Sequence, residues 1–268
     1  MTDRRRWTLA VSQWTLLETS AARAIGRIAD AGFDAVELGG DSLDPTDVKR
    51  ALAASGLDAT SICPFFGAER DFAADAAEVR AAASDHLRRS IDLAGEVGAD
   101  AVIVVPSDRP AGSHGSTRAD LLSRCAETIG EVVGEYPVGG PMVVIEPLNR
   151  YETHLVRTLE EAESLRGLID SPHVALMADV FHMNLEEDSL SEPLRQHAGR
   201  IAHVHLADNQ RREPGSGRLD FAELFDVLDE IDYRGHFALE FLPATDAALL
   251  RAREHLRPLM AASGQRAS

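Results

Sequence analysis

Two cysteines, Cys63 and Cys125, are all the chain offers. They have neither metal-finger spacing nor the density of a disulfide scaffold, so both are expected as reduced thiols of the cytoplasm. No apolar run approaches the ~20 residues that a membrane helix needs. The opening MTDRRRWTLAVSQW is basic, but its apolar stretch from Trp7 to Val11 is too short and mixed for a secretory leader. Positive charge is scarce as well: 27 Lys and Arg face 44 Asp and Glu, a formal charge of −17. A field of that sign repels polyphosphate and anionic bilayers, so neither nucleic acid nor a membrane is an expected partner. Also missing are a linker, a low-complexity tract and a Gly-rich phosphate fingerprint after the first strand. That last absence counts against a dinucleotide-binding fold.

What is present is a rhythm. Short β-rich runs alternate with longer Ala- and Leu-rich amphipathic segments. The expected strands are Trp7–Ser12, Ala35–Gly39, Ala59–Pro64, Ala101–Pro106, Met142–Pro147, Val174–Asp179, Ile201–Leu206 and His236–Phe241. Several are nearly continuous apolar runs, as in AVIVV and MVVI, which suits parallel strands covered on both faces. Between them lie helical segments with recognisable ends. Asp44 is an N-cap followed by Pro45 at the first helical position, and Gly56 lies past the last turn. Apolar residues recur at helical spacing from Leu121 through Ile129 to Val133, and again through Phe221, Leu224, Phe225 and Leu228. Eight strand–helix repeats in 268 residues predict one α/β domain, a closed (β/α)8 TIM barrel over residues 1–268 with a frayed tail from about 261.

Barrel enzymes place their chemistry at the C-terminal ends of the strands. The last four strands each end in a group able to do chemistry: Glu146, Asp179, His205 and Glu240. A lone Glu at a strand end is commonly a surface carboxylate; four such groups at matching positions of consecutive repeats form a constellation. Three close carboxylates repel one another, and desolvation raises their pKa values. A divalent cation supplies the opposing charge. The oxygen-rich donor set with one nitrogen suits Mn2+, Mg2+ or Co2+, whereas zinc usually draws more nitrogen or sulfur. His182, Glu152, Asn149 and Arg211 follow in the adjoining loops, where each is either a hydrogen-bond partner for substrate hydroxyls or a loop residue with a structural role.

These segments resemble the xylose-isomerase-like superfamily, and within it the ketose 3-epimerases of the tagatose and psicose group. The resemblance is carried by EPLNRYE from Glu146, DVFHMNLEE from Asp179, HLADNQRREPGSGRLDF from His205, and FALEF around Glu240. It runs unbroken from about 141 to 242; the first half matches only in rhythm, including ELGG after the second strand. The resemblance implies a metal held by Glu146, Asp179, His205 and Glu240, with Mn2+ the expected ion. It implies substrate contacts from Glu152, His182 and Arg211, and it makes Glu146 and Glu240 the acid/base pair. The chemistry is coherent. Removing a proton beside a carbonyl requires stabilisation of the resulting enediolate, and a chelated metal is a Lewis acid that also orients the substrate. One carboxylate takes the proton and the other returns it from the opposite face.

Substrate choice is expected from first-half loops: Trp14 after strand one, Glu37 after strand two, Phe65–Phe66 after strand three and Ser107 after strand four. Trp14 and Phe66 are candidates to pack on a sugar's apolar face. Arg109 and Arg118 do not make a phosphate pocket, which favours an unphosphorylated sugar or keto-polyol. Inosose or hydroxypyruvate isomerases and C-glycoside-cleaving relatives share the implied scaffold and are the alternatives. An endonuclease IV-like repair enzyme is a remote one, since its three-zinc cluster needs further His. The third strand here ends SICPFF and the fourth VVPSDRP, and His114 falls well into the loop. Pairing into a homodimer or tetramer is common for such barrels.

Overall fold

The structure is a computed structural model that describes residues 7–41, 43–108, 116–242 and 244–263. Eight parallel strands close into a barrel in sequence order, with the last strand pairing with the first. They are β1 (Leu9–Ser12), β2 (Ala35–Leu38), β3 (Asp58–Ile62), β4 (Ala101–Val104), β5 (Met142–Ile145), β6 (Val174–Asp179), β7 (Ile201–Leu206) and β8 (His236–Leu239). The helices are α1 (Ala21–Asp30), α2 (Pro45–Ser55), α3 (Ala77–Val97), α4 (Arg118–Val133), α5 (Leu159–Ile169), α6 (Val180–Glu186), α7 (Ser191–Gln196), α8 (Phe221–Glu230) and α9 (Asp246–Ser263).

The helix signals act locally as their chemistry dictates. Asp44 accepts from the Thr46 amide, Pro45 opens α2, and Gly56 leaves it with φ 73°, a backbone region that costs glycine little. Thr117 and Asp120 form a reciprocal capping box at the start of α4. Helix α9 runs through Ser263, so residues 261–263 are helical where fraying was expected; 264–268 lie outside the described residues.

Several strands are shorter than expected, and at the ends of β3 and β5 proline supplies the reason. Cys63 and Glu146 still donate to the neighbouring strand (Cys63 N to Leu38 O, 2.7 Å; Glu146 N to Val104 O, 2.9 Å). Pro64 and Pro147 come next and have no N–H with which to continue the ladder.

Strand pleating sorts the side chains into two sets. Val102, Val104, Val143, Ile145, Leu176 and Val204 point outward into the core shared with the helices. Ala101, Ile103, Val144, Ala175 and Met177 form a smaller cluster with Cys63 inside the barrel, and Ala10, Ala35 and Ala238 form another. Two residues on from Val144, Met177 and Ala238, the same face reaches Glu146, Asp179 and Glu240. The apolar interior is thus the floor beneath the polar groups. The ladders also slip between Val36 and Glu37, and between Leu176 and Met177. Irregularities of this kind re-aim the side chains that follow them.

Candidate metal centre

Glu146, Asp179, His205 and Glu240 converge at the C-terminal mouth, each offering a ligand atom within 4.8 Å of the others. His205 is the hub. Its Nδ1 lies 3.1 Å from Glu240 Oε2, 3.6 Å from Asp179 Oδ2 and 3.8 Å from Glu146 Oε1, yet makes no well-formed hydrogen bond. A fully buried nitrogen without a hydrogen bond, ringed by three carboxylates, fits a site for a divalent cation. The four residues expected to share a site are together.

Asp179 does two jobs. Its Oδ1 caps α6 by accepting from the amides of Phe181 (2.8 Å) and His182 (3.3 Å). That leaves Oδ2 facing the cluster, where it accepts from Arg211 Nη1 at 2.6 Å. Arg211 also donates from Nη2 to Glu240, and its guanidinium lies over the Phe181 ring, 4.8 Å from the centroid. One cation therefore already clamps two of the three carboxylates.

The charge distribution separates the two glutamates. Burial, reinforced by Glu240 and Asp179, pushes the Glu146 carboxyl well above its usual range. Burial also acts to raise Glu240, but Arg211 and His205 outweigh it and hold that group low. Asp179 is likewise held down against burial by Arg211, His182 and His205. His205 is driven up, because Glu37 and Glu240 overcome the effect of burial.

His182 Nδ1 lies 3.1 Å from the backbone N–H of Asn149 and 2.8 Å from its side-chain amide nitrogen. Accepting from that N–H puts the imidazole proton on Nε2, which lies 3.8 Å from Asp179 Oδ2. Burial lowers the His182 pKa, so the ring is a neutral donor. Asn149 also donates to Glu152 Oε1 at 2.6 Å, joining Glu152, Asn149 and His182 in one network beside the ligand cluster.

The first-half residues are more dispersed. Trp14 is 37% exposed and donates its indole N–H to Cys63 O (2.8 Å), tying the loop after β1 to the end of β3. Phe65, 57% exposed, stands beside Trp14 with ring centroids 6.4 Å apart. Phe66 is only 3% exposed and packs on Phe72 and His86. The structure thus makes Phe66 a core side chain, and the exposed aromatic of that pair is its neighbour. Ser107 is buried and donates to Asp71 (3.0 Å). Arg118 is engaged with Leu155 O (2.7 Å) and Glu161 (2.8 Å). Arg109 and His114 lie outside the described residues. Cys63 and Cys125 are buried free thiols.

Glu37, expected among the residues that set substrate choice, faces the barrel interior instead. It lies within β2, fully buried, and its Oε2 is 2.9 Å from His203 Nε2 and 3.0 Å from His205 Nε2. His203 was not anticipated at all. The signal was available in the run His203–Val204–His205, where pleating aims both imidazoles into the barrel.

A closed parallel barrel with polar groups converging at its C-terminal mouth is the arrangement of a barrel enzyme, and the carboxylate-rich centre there is a candidate site for a divalent cation. The chain belongs to the xylose isomerase-like TIM barrel family, whose model matches residues 25–259. It is 32% identical to a 3-dehydro-D-guloside 4-epimerase of Escherichia coli, over 80% of this chain and 84% of the relative. A ketose 3-epimerase of Arthrobacter globiformis is 30% identical over 81% of this chain and 76% of its own. Among solved structures, an L-ribulose 3-epimerase superposes with a TM-score of 0.87 at 23% identity, covering 97% of both chains, a likeness of fold. The 3-keto-D-glucoside 4-epimerase of E. coli superposes at 0.83 with 26% identity, covering 95% of this chain and 99% of that one. The isomerase-class enzyme expected from the sequence agrees with these relatives.

Proposed function

We propose that this chain is a divalent-metal-dependent sugar epimerase that inverts a carbon beside a carbonyl, acting on C3 of a free ketose. The observation that supports this most is the convergence of Glu146, Asp179, His205 and Glu240, ligand atoms within 4.8 Å of one another, with two glutamates at one site to serve as base and acid. Glu146, Asp179, His205 and Glu240 would hold the ion, with Mn2+ the expected one. A bound ion would supply Lewis-acid polarisation of the substrate carbonyl and a template for the hydroxyl beside it.

The chain's own groups account for the proton. Glu240, ionised, takes the C3 proton; the C–H electron pair moves into the bond to C2, and the carbonyl oxygen gains the negative charge. Glu146, protonated, returns a proton to the other face of C3. Glu240 then carries the proton and Glu146 is ionised, so the reverse reaction starts from that state. His182 Nε2–H and the Arg211 guanidinium are placed to stabilise the developing oxyanion. Glu152, through Asn149, keeps the His182 donor aimed at the substrate.

A second reading, 4-epimerisation of a 3-keto-glycoside, is favoured by the apolar shelf of Trp14 and Phe65. A separate cavity of about 290 Å³, lined by Trp14, Leu17 and Leu43 among others, lies against the other side of the loop after β1, and apolar surface of this kind suits the aglycone of a glycoside. The E. coli relative named above shares that reaction type.

Incubating Mn2+-loaded protein with ketoses and 3-keto-glycosides in D2O separates the two. Deuterium at C3 of a ketose with a new epimer is the expected result. Glu146→Gln and Glu240→Gln are each expected to cut that exchange by roughly 10²- to 10⁴-fold. Exchange only at C4 of a 3-keto-glycoside moves the assignment to the second reading, and no exchange in either class sinks both.

A further inference from the structure

We propose that Glu37 is a positioning residue for the metal centre: from β2 it dictates which nitrogen of His205 faces the cation. The inference rests on the metal-centre reading above.

Three donors converge on one oxygen of Glu37. Ser61 Oγ donates to Oε2 at 2.7 Å, His203 Nε2 lies at 2.9 Å and His205 Nε2 at 3.0 Å. All four residues are fully buried. Strands β2 and β7 are not ladder neighbours, so the carboxylate reaches His203 and His205 through the barrel interior. The slip in the ladder between Val36 and Glu37 lies immediately before the side chain that must be aimed. Ala10, Ala35 and Ala238, small residues on the same inner face, leave room for it.

An ionised carboxylate accepts and cannot donate. His205 must therefore carry a proton on Nε2, which leaves Nδ1 as its metal-facing atom. That is the nitrogen ringed by Glu240, Asp179 and Glu146. Without Glu37, the ring is free to take the other tautomer or to turn, and the donor set loses its only nitrogen. His203 and Ser61 hold the carboxylate from two further directions.

Glu37, His203 and His205 also lie close enough to hold a cation themselves. A neutral imidazole has one lone-pair nitrogen, so His205 serves one cation, on one side. The Nδ1 side brings three carboxylates and the Nε2 side one. Charge therefore favours the mouth, and Glu37 is left as the acceptor behind the ligand, an arrangement known to orient metal-binding histidines generally.

The test is a calorimetric titration of Mn2+ into metal-stripped wild type, Glu37→Gln and Ser61→Ala. A glutamine keeps the shape and can set its oxygen where Oε2 stands, but it lacks the charge that fixes the Nε2–H tautomer of His205 and can equally turn its own N–H donors to the imidazoles. Glu37→Gln is expected to weaken Mn2+ binding roughly 10- to 100-fold, and Ser61→Ala, which spares the His205 bond, by less than about threefold. A second measurement needs no variant. Long-range 1H–15N spectra of the histidine-labelled, Mg2+-loaded wild type are expected to place the His205 proton on Nε2. Wild-type affinity retained in Glu37→Gln, or a His205 proton on Nδ1, overturns the role of Glu37 alone. A wild type that takes up neither ion overturns it together with the metal-centre reading.

Discussion

Single side chains in this protein carry more than one task, and the tasks are set by which atom points where. Asp179 uses one oxygen to cap α6 and the other to face His205 and Arg211. His205 points one nitrogen at Glu37 and the other at three carboxylates. Away from the mouth, His86 illustrates a titration that opposes folding. Burial, then Arg70, lowers its pKa from 6.5 to about 4, against the pull of Asp41. The unfolded chain therefore binds this proton below about pH 6.5, and the folded protein only near 4. Stability from this group is fully present above 6.5 and is lost as the pH falls towards 4. Thermal melts across that window are expected to show a shallower decline in His86→Gln than in wild type. Equal slopes would show that another group governs the acid limb.

The loop between β7 and α8 is organised by a side chain of its own. Asp208 is fully buried and accepts from the amides of Asn209, Gly215, Gly217, Arg218 and Leu219 at 2.8–3.2 Å. The same turn presents Arg211 in the left-handed region, φ 55°, with its N–H on Asp208 O and its carbonyl accepting from Leu242. The clamp on Asp179 and Glu240 is therefore supported by a carboxylate that is not part of the cation site. Asp208→Ala removes the acceptor those amides share, leaving Arg218 with Asn209 Oδ1 alone, and is expected to cost on the order of 3 kcal/mol. Amide exchange at Gly215, Gly217, Arg218 and Leu219 should rise more than at β7 itself. Unchanged protection in that loop would refute the hub. Element identity was legible in advance, because periodicity and caps are local properties: Asp44, Pro45 and Gly56 bound α2 as expected. Strand ends were less so: Cys63 and Glu146 still reach a neighbouring carbonyl, and the ladder stops only at the proline after each, which was expected inside the strand.

Taken as a unit, the barrel gathers buried acid that repels itself. Glu37, Glu146 and Asp179 are buried at the mouth, Glu240 nearly so, and Arg211 is the cation that bonds to two of them. A divalent ion should therefore stabilise the fold as well as serve the chemistry. At Mn2+ one hundred times its Kd, linkage gives about 2.7 kcal/mol. In a domain of this size that corresponds to roughly 5–10 °C in Tm. Differential scanning calorimetry with Mn2+ and then excess chelator is expected to show the rise and its reversal. A Tm indifferent to both would count against a resident ion.

The fold class and four of the groups at the mouth could be read from the chain, for a physical reason. A parallel barrel repeats one local unit, and Glu146, Asp179, His205 and Glu240 stand at equivalent points of consecutive units. Position along the chain then maps directly onto position around the rim. Phe66, Glu37 and His203 obey no such mapping. Whether an aromatic after β3 turns to the core or the mouth depends on how the connection folds back to bring Phe72 and, from α3, His86 against it. Whether a glutamate in β2 meets two histidines in β7 depends on closure of the ring. Those pairings cross the barrel interior, and no local pattern encodes a distance through space.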